Sequence, residues 1–234
     1  MSRRPQQVRS ALTRRRVLEA AIEAFGSKGF EGTSTRELVD LAGVNLVAIH
    51  YHFGSKKALY RRAAEHIAET IRERGRPGLS RARATAKRPD ATRAELIECI
   101  CELFDQAAAF TLADLPESWR RFLIREQVEP TGAFEVIFRA MRPFFQTAST
   151  ILGRLIGRPS RHPEVRLLTM MVFGQLSVFR TNRAAALRLL GLRRVGPVEL
   201  RQVRGTARKY IVALLGGDRR RRIRRGRRRR TVVS

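Results

Sequence analysis

Between residues 14 and 60, apolar positions recur at helical spacing in three short runs separated by glycine. In the first run Val17, Leu18, Ala21, Ile22 and Phe25 make one stripe that stops near Gly29. In the second, Leu38, Leu41 and Ala42 follow Ser34-Thr35-Arg36-Glu37. This is an S-x-x-E capping box, in which the Ser34 hydroxyl takes the Glu37 N–H and the Glu37 carboxylate reaches back. Gly43 then supplies the permissive backbone of a tight turn. In the third run Val44, Ile49 and Phe53 point inward, which leaves Asn45, Leu46, Val47, Ala48, His50, Tyr51 and His52 nearer the outer surface. Gly54 ends that helix. Ser55 caps the next one, whose first residues, Lys56 and Lys57, place cations at the positive end of a helix dipole. Such a placement is electrostatically poor unless an anion sits close by.

Two short helices joined by a glycine turn, the second with a compact polar face flanked by cations, fit a helix-turn-helix that reads a DNA major groove. The spacing alone also fits a plain helical hairpin inside an all-α core. Before it, residues 1–13 are polar and basic and read as a flexible arm. After it, Leu59, Ala63, Ile67 and Ile71 carry a connector helix over residues 61–74. The Gly-, Pro- and cation-rich residues 75–93 read as a loop between domains.

From residue 94 to 217 the patterning stays helical. Leu96, Ile97, Ile100, Leu103 and Phe104 suit a buried helix, and Asp114 before Pro116 reads as the cap of the next. Pro130 opens another, which Pro143 should kink. Pro163 and Pro197 open the last two. The fold class is therefore all-α. An N-terminal three-helix reading domain (14–60) precedes a C-terminal helical bundle for ligand binding and dimerisation. Residues 218–234 are an Arg-rich tail, expected to be disordered by self-repulsion.

The stretch from Thr33 to Tyr60, TSTRELVDLAGVNLVAIHYHFGSKKALY, resembles the DNA-binding signature of the TetR/AcrR family of transcriptional regulators. The matching features are Thr35-Arg36-Glu37-Leu38, Ala42-Gly43-Val44, Tyr51-His52-Phe53, Gly54-Ser55-Lys56 and Leu59-Tyr60. The chain departs from the family pattern at Asn45, where Ser is frequent, and at His50, where a Tyr is common. Both departures bear on base preference rather than on the fold. Arg125 to Phe138 and Gly174 to Arg183 are similar to ligand-domain segments of the CecR-like branch.

The resemblance implies a homodimeric, cytoplasmic bacterial regulator, a repressor released from a palindromic double-stranded DNA operator by a small-molecule effector. Thr35, Arg36, Tyr51, His52 and Lys56 are then the phosphate and positioning candidates, and Asn45, Leu46, Val47, Ala48 and His50 lie nearest base edges. A pocket is implied in the C-terminal domain. Trp119, Phe134, Phe138, Met141, Met170, Phe173 and Phe179, with Arg125, Gln127 and Gln175 as polar neighbours, are its candidate lining, although such stripes also read as core. For the dimer contact, Gly174, Gln175, Ser177 and Arg180 join Val198, Leu200, Val203, Ala207, Ile211 and Leu214.

The charge sharpens the choice of partner. The formal net charge is +27, with 20 cations against 9 acids in residues 1–93, 18 against 12 in 94–218, and 10 against none in 219–234. That profile favours a polyanion, since neutralised phosphates release counterions. An architectural nucleic-acid binder acting through charge alone is thus the alternative function. Only five of the 48 cations are Lys, a bias that a GC-rich genome would also produce. Cys99 and Cys101 are two apart on a helix and cannot sensibly pair. The longest nearly apolar run, Leu167 to Phe179, is too short for a bilayer of ~30 Å, so no membrane partner is expected. No paired nucleophile and base, phosphate loop or metal spacing occurs, which argues against an enzyme and against a cofactor.

Overall fold

The computed structural model describes residues 3–217, and every element among them is helical. Ten α-helices follow in order: α1 (Arg3–Lys28), α2 (Thr35–Ala42), α3 (Leu46–Phe53), α4 (Lys56–Lys87), α5 (Arg93–Ala109), α6 (Glu117–Val128), α7 (Gly132–Ile156), α8 (Pro163–Thr181), α9 (Arg183–Leu189) and α10 (Pro197–Gly216). A π-helical turn, Phe110–Asp114, follows α5 directly. The all-α reading therefore holds. The tail of residues 218–234 lies outside the described residues.

The chain forms two compact units, one of residues 1–74 with 114–143, the other of 75–113 with 144–234. This division differs from the expected one, because α6 and the first half of α7 group with the N-terminal helices. Gly26 explains why. On α1 it lets the backbone of α6 approach so closely that an added Cβ would stand 2.5 Å from the Ser118 carbonyl oxygen. Arg125 of α6 then donates to the carbonyls of Gly26 (3.0 Å) and Ser27 (2.6 Å). Phe25, Tyr60 and Phe122 meet ring to ring in the core so formed, with centroids 4.8–4.9 Å apart. Beside them Glu126, 1% exposed, accepts from the Tyr60 hydroxyl, from the Thr131 N–H at 3.1 Å and from the Thr131 hydroxyl at 2.9 Å. Burial, and then the Glu126 carboxylate, push the Tyr60 phenol well above its usual range.

In the second unit α5 is the central helix. Its Ile100, Leu103 and Phe104 pack in one cluster with Ile151 and Leu152 of α7, Val172 and Phe173 of α8, and Ile211 and Leu215 of α10. Phe173 meets Phe144 edge-on with centroids 4.8 Å apart. Thr92 and Glu95 make a reciprocal capping box at the start of α5. Cys99 and Cys101 are both buried free thiols, and burial pushes Cys101 up to about 11.

Four expectations are corrected by the helix ends. The basic arm is helical from Arg3 as the first turns of α1. Residues 75–87 are helix rather than loop, with Pro77 inside α4. Alanines and arginines are good helix formers there. Gly78 and Ala82 are buried, and Arg154 holds the terminal carbonyls of Thr85, Ala86 and Pro89. Pro116, not Asp114, stands at the N-cap of α6. Finally, α7 begins at Gly132, two residues after Pro130.

Candidate nucleic-acid interface

The reader is built from α2 and α3. Ser34 caps α2, its hydroxyl accepting the Glu37 N–H at 3.1 Å. The second half of the expected box is absent, because the Glu37 carboxylate pairs with Lys28 Nζ at 2.7 Å instead. Gly43 ends α2 in the left-handed region (φ 58°), a conformation that costs glycine nothing. Arg16 of α1 clamps that end, donating to the Ala42 carbonyl at 2.8 Å. Leu38 and Ala42 are buried, but Leu41 is half exposed and does not extend the stripe.

Asn45 is the N-cap of α3, its side-chain oxygen accepting the Ala48 N–H at 2.8 Å. The residue that the sequence placed nearest base edges thus also caps the helix, with one lone pair of its amide oxygen. Ile49 and Phe53 are buried and fix the helix's inner side. Outward stand Leu46, Val47 at 71% exposure, His50, and Tyr51 at 82%. These positions are i, i+1, i+4 and i+5, one face of two turns. His50 Nδ1 lies 2.9 Å from the Gly54 carbonyl oxygen. A carbonyl only accepts, so the ring donates through Nδ1 and keeps Nε2 for an external partner. The His52 ring is half-buried, edge-on to Tyr51 at 5.0 Å. Thr35 is half-buried and Arg36 exposed at the start of α2. Ser55 caps α4, accepting the Ala58 N–H at 3.1 Å. Lys56 stands above the Phe30 ring, Nζ 4.4 Å from its centroid, which positions the ammonium beside the α4 N-terminus.

The expected pocket residues divide between the units. In the first, Phe134 and Phe138 stack at 5.9 Å, Trp119 lies edge-on to His66 at 5.5 Å, and Met141 is half-buried. Arg125 directs Nε and Nη2 to the α1 carbonyls of Gly26 and Ser27, and Gln127 is exposed. In the second, Phe173 is buried and Phe179 packs beside the same core, whereas Met170, 62% exposed, and Gln175 look outward. The expected dimer residues divide too. Ala207 and Ile211 are consumed by their own core, with Leu200 and Val203 against it. The apolar side chains that α8 holds out are Leu167, Met170, Met171 and Val178; on α10 they are Val198, Tyr210, Val212 and Leu214. Six of these were not among the expected contact residues, because the outer and inner stripes of a helix that is apolar on both sides share one period.

Comparison with known proteins agrees with this geometry. Residues 17–63 match the bacterial regulatory proteins of the tetR family, and residues 96–217 match the C-terminal domain of the HTH-type transcriptional dual regulator CecR. The chain is 28% identical to the CecR regulator of Shigella flexneri over 181 residues, 77% of this chain and 81% of that protein. Over 57 residues, 24% of this chain and 26% of the other, it is 44% identical to the regulatory protein RaaS of Mycobacterium tuberculosis. Two solved structures share the fold. The TetR-family regulator PfmR of Thermus thermophilus is 19% identical with a TM-score of 0.57, covering 87% of this chain and 95% of that one. FadR of Bacillus subtilis, in complex with stearoyl-CoA, is 16% identical with a TM-score of 0.54, covering 85% and 97%. The chain belongs to the TetR family of DNA-binding transcriptional regulators, with a C-terminal domain of the CecR type.

Proposed function

We propose that this regulator is a ligand-released repressor, a homodimer that places α3 of each protomer in successive major grooves of a palindromic operator. The observation that carries the reading is the outer face of α3. Leu46, Val47, His50 and Tyr51 stand clear of the core on a helix whose inner side and both ends are tied down. Leu46, Val47 and Ala48 offer apolar contact to thymine methyls, and the free Nε2 of His50 offers a hydrogen bond to a base edge. Tyr51, His52, Arg36, Thr35 and Lys56 position the helix on phosphates. The Lys56 ammonium beside the α4 N-terminus answers the electrostatic oddity of the sequence, because a phosphate there meets both a cation and free N–H groups.

The outward apolar residues of α8 and α10 support a two-fold contact between copies. The effector belongs to the CecR-type domain, residues 96–217, which is separate in sequence from the reader. The stearoyl-CoA held by Bacillus subtilis FadR illustrates a protein of this fold with a bound ligand. Binding of the purified protein to its own upstream intergenic DNA, against scrambled duplex and across a salt series, tests the reading. A footprinted palindrome whose preference survives moderate salt is expected. Equal binding to both duplexes, falling together as salt rises, would instead assign the protein to charge-driven architectural binding.

A further inference from the structure

His50 and Gly54 are tied to each other twice. The Gly54 N–H donates to the His50 carbonyl at 2.9 Å as the last turn of α3 closes. The Gly54 carbonyl oxygen in turn lies 2.9 Å from His50 Nδ1. That second bond depends on the backbone of Gly54, which stands at φ 79° and ψ −52°. With the Ser55 N–H on the Phe53 carbonyl at 2.9 Å, these angles make a γ-turn of the kind that a side chain would strain. No atom stands within 4 Å of where a Gly54 Cβ would be, so glycine is needed here for its angles and not for space.

The turn decides what His50 can recognise. Because the carbonyl can only accept, Nδ1 carries the ring proton, and in a neutral imidazole the other nitrogen is then an acceptor and nothing else. A hydroxyl rotates to donate or accept; a ring with one nitrogen committed has no such choice. The two nitrogens point apart across the ring, so Nε2 is directed away from the Gly54 carbonyl on an exposed residue. Phosphate oxygens only accept and cannot answer it. In the major groove guanine N7 and O6, adenine N7 and thymine O4 also accept, and only adenine N6 and cytosine N4 donate. Leu46 and Val47, four and three residues before His50 on the same face, are apolar and exclude the water that would otherwise compete for Nε2 when the helix closes on the groove. An acceptor set against the wrong base edge would then be left unpaired, which is costly.

We propose that His50 determines operator specificity, its Nε2 fixed as an acceptor by the Gly54 carbonyl so that it selects an exocyclic base amine, adenine N6 or cytosine N4. This deepens the reading of α3 as the operator-reading helix and rests on it.

The test begins with selection from a random duplex library by the full-length wild type at about pH 8, above the ordinary titration range of an imidazole. His50→Phe, which keeps a ring but has no acceptor, should relax one position in each half-site and leave the others as they are. On the recovered duplex the amine at that position is then deleted, with unsubstituted purine for adenine or pyrimidinone for cytosine. Fluorescence anisotropy should show the wild type weakened about fivefold and His50→Phe not at all. Whichever of the two replacements has the effect names the base. His50→Gln, which keeps an acceptor, should retain part of the difference. If the wild type instead responds to a deazapurine lacking N7, and His50→Phe does not, the ring donates and the proposal is overturned. A common sequence in which no position depends on His50 overturns it alone. Recovery of no common sequence overturns it together with the regulator reading.

Discussion

α3 and α8 both hold apolar side chains out to solvent, but they do so in different company. On α3, Leu46 and Val47 share their face with His50 and Tyr51, and two lysines open the next helix. On α8, Leu167, Met170, Met171 and Val178 make up most of the outer side, with Arg166 near its start and Gln175 between Met171 and Val178 as its exposed polar members. A narrow face mixed with donors and flanked by cations suits a groove that presents methyls, acceptors and phosphates. A longer face of Leu, Met and Val suits another protein surface, where flexible methionines fill gaps. Exposed apolar area alone does not name the partner; the groups around it do.

The comparison breaks most sharply if a charge is put on each face. Met170→Glu combined with Met171→Glu should weaken self-association by about 100-fold, or ~2.8 kcal/mol, with helical circular dichroism unchanged. An unaltered dimer in analytical ultracentrifugation would remove α8 from the interface. Next in size, Tyr51→Ala should weaken operator binding about tenfold, ~1.4 kcal/mol, and leave the dimer intact. Fluorescence anisotropy showing unchanged operator affinity would count against the α3 face. Arg16→Met removes the clamp on the end of α2 and should cost about 1 kcal/mol of stability, read as a melting point lower by about 2–4 °C. The smallest effect sharpens rather than breaks the contrast. Asn45→Ala should cost about 0.5–1 kcal/mol through the lost cap, while Asn45→Asp keeps the cap and weakens DNA binding by charge alone. Equal operator affinity in the Asp and wild-type proteins would mean that the α3 N-terminus does not approach phosphate.

The reader was legible because its boundaries are written in single residues. Ser34, Gly43, Gly54 and Ser55 each do locally what their chemistry predicts, and Ile49 and Phe53 lie inward as their spacing required. What each polar group is bonded to was less legible. Glu37 had a near partner in the capping box and a distant one in Lys28, and only the fold brings the second within reach. Asn45 read as a base-contacting residue because a cap and a contact call for the same side chain. In the second unit, helix α9 went unseen: it follows α8 after a single residue, Asn182, whose side chain makes no cap bond. Residues 75–87 looked like loop because Gly and Pro dominate local propensity, while the decisive influence, Arg154, lies on α7 more than sixty residues away. The outer and inner stripes of α8 have the same period, so only the fold separated Met170 from Phe173.

Several arginines share one task. Arg16, Arg125, Arg154 and Arg93 each reach from one helix to the terminal carbonyls of another, Arg93 holding those of both Leu155 and Leu215. A guanidinium can fork between two carbonyls where an ammonium offers a single point of charge. These contacts are short and partly shielded, and a Debye length of about 8–10 Å at ordinary ionic strength leaves them nearly untouched. Contacts from exposed cations to phosphate sit on the other side of that length scale. Salt should therefore strip this protein from DNA without loosening it, so that a melting curve and a binding curve taken along one salt gradient part company.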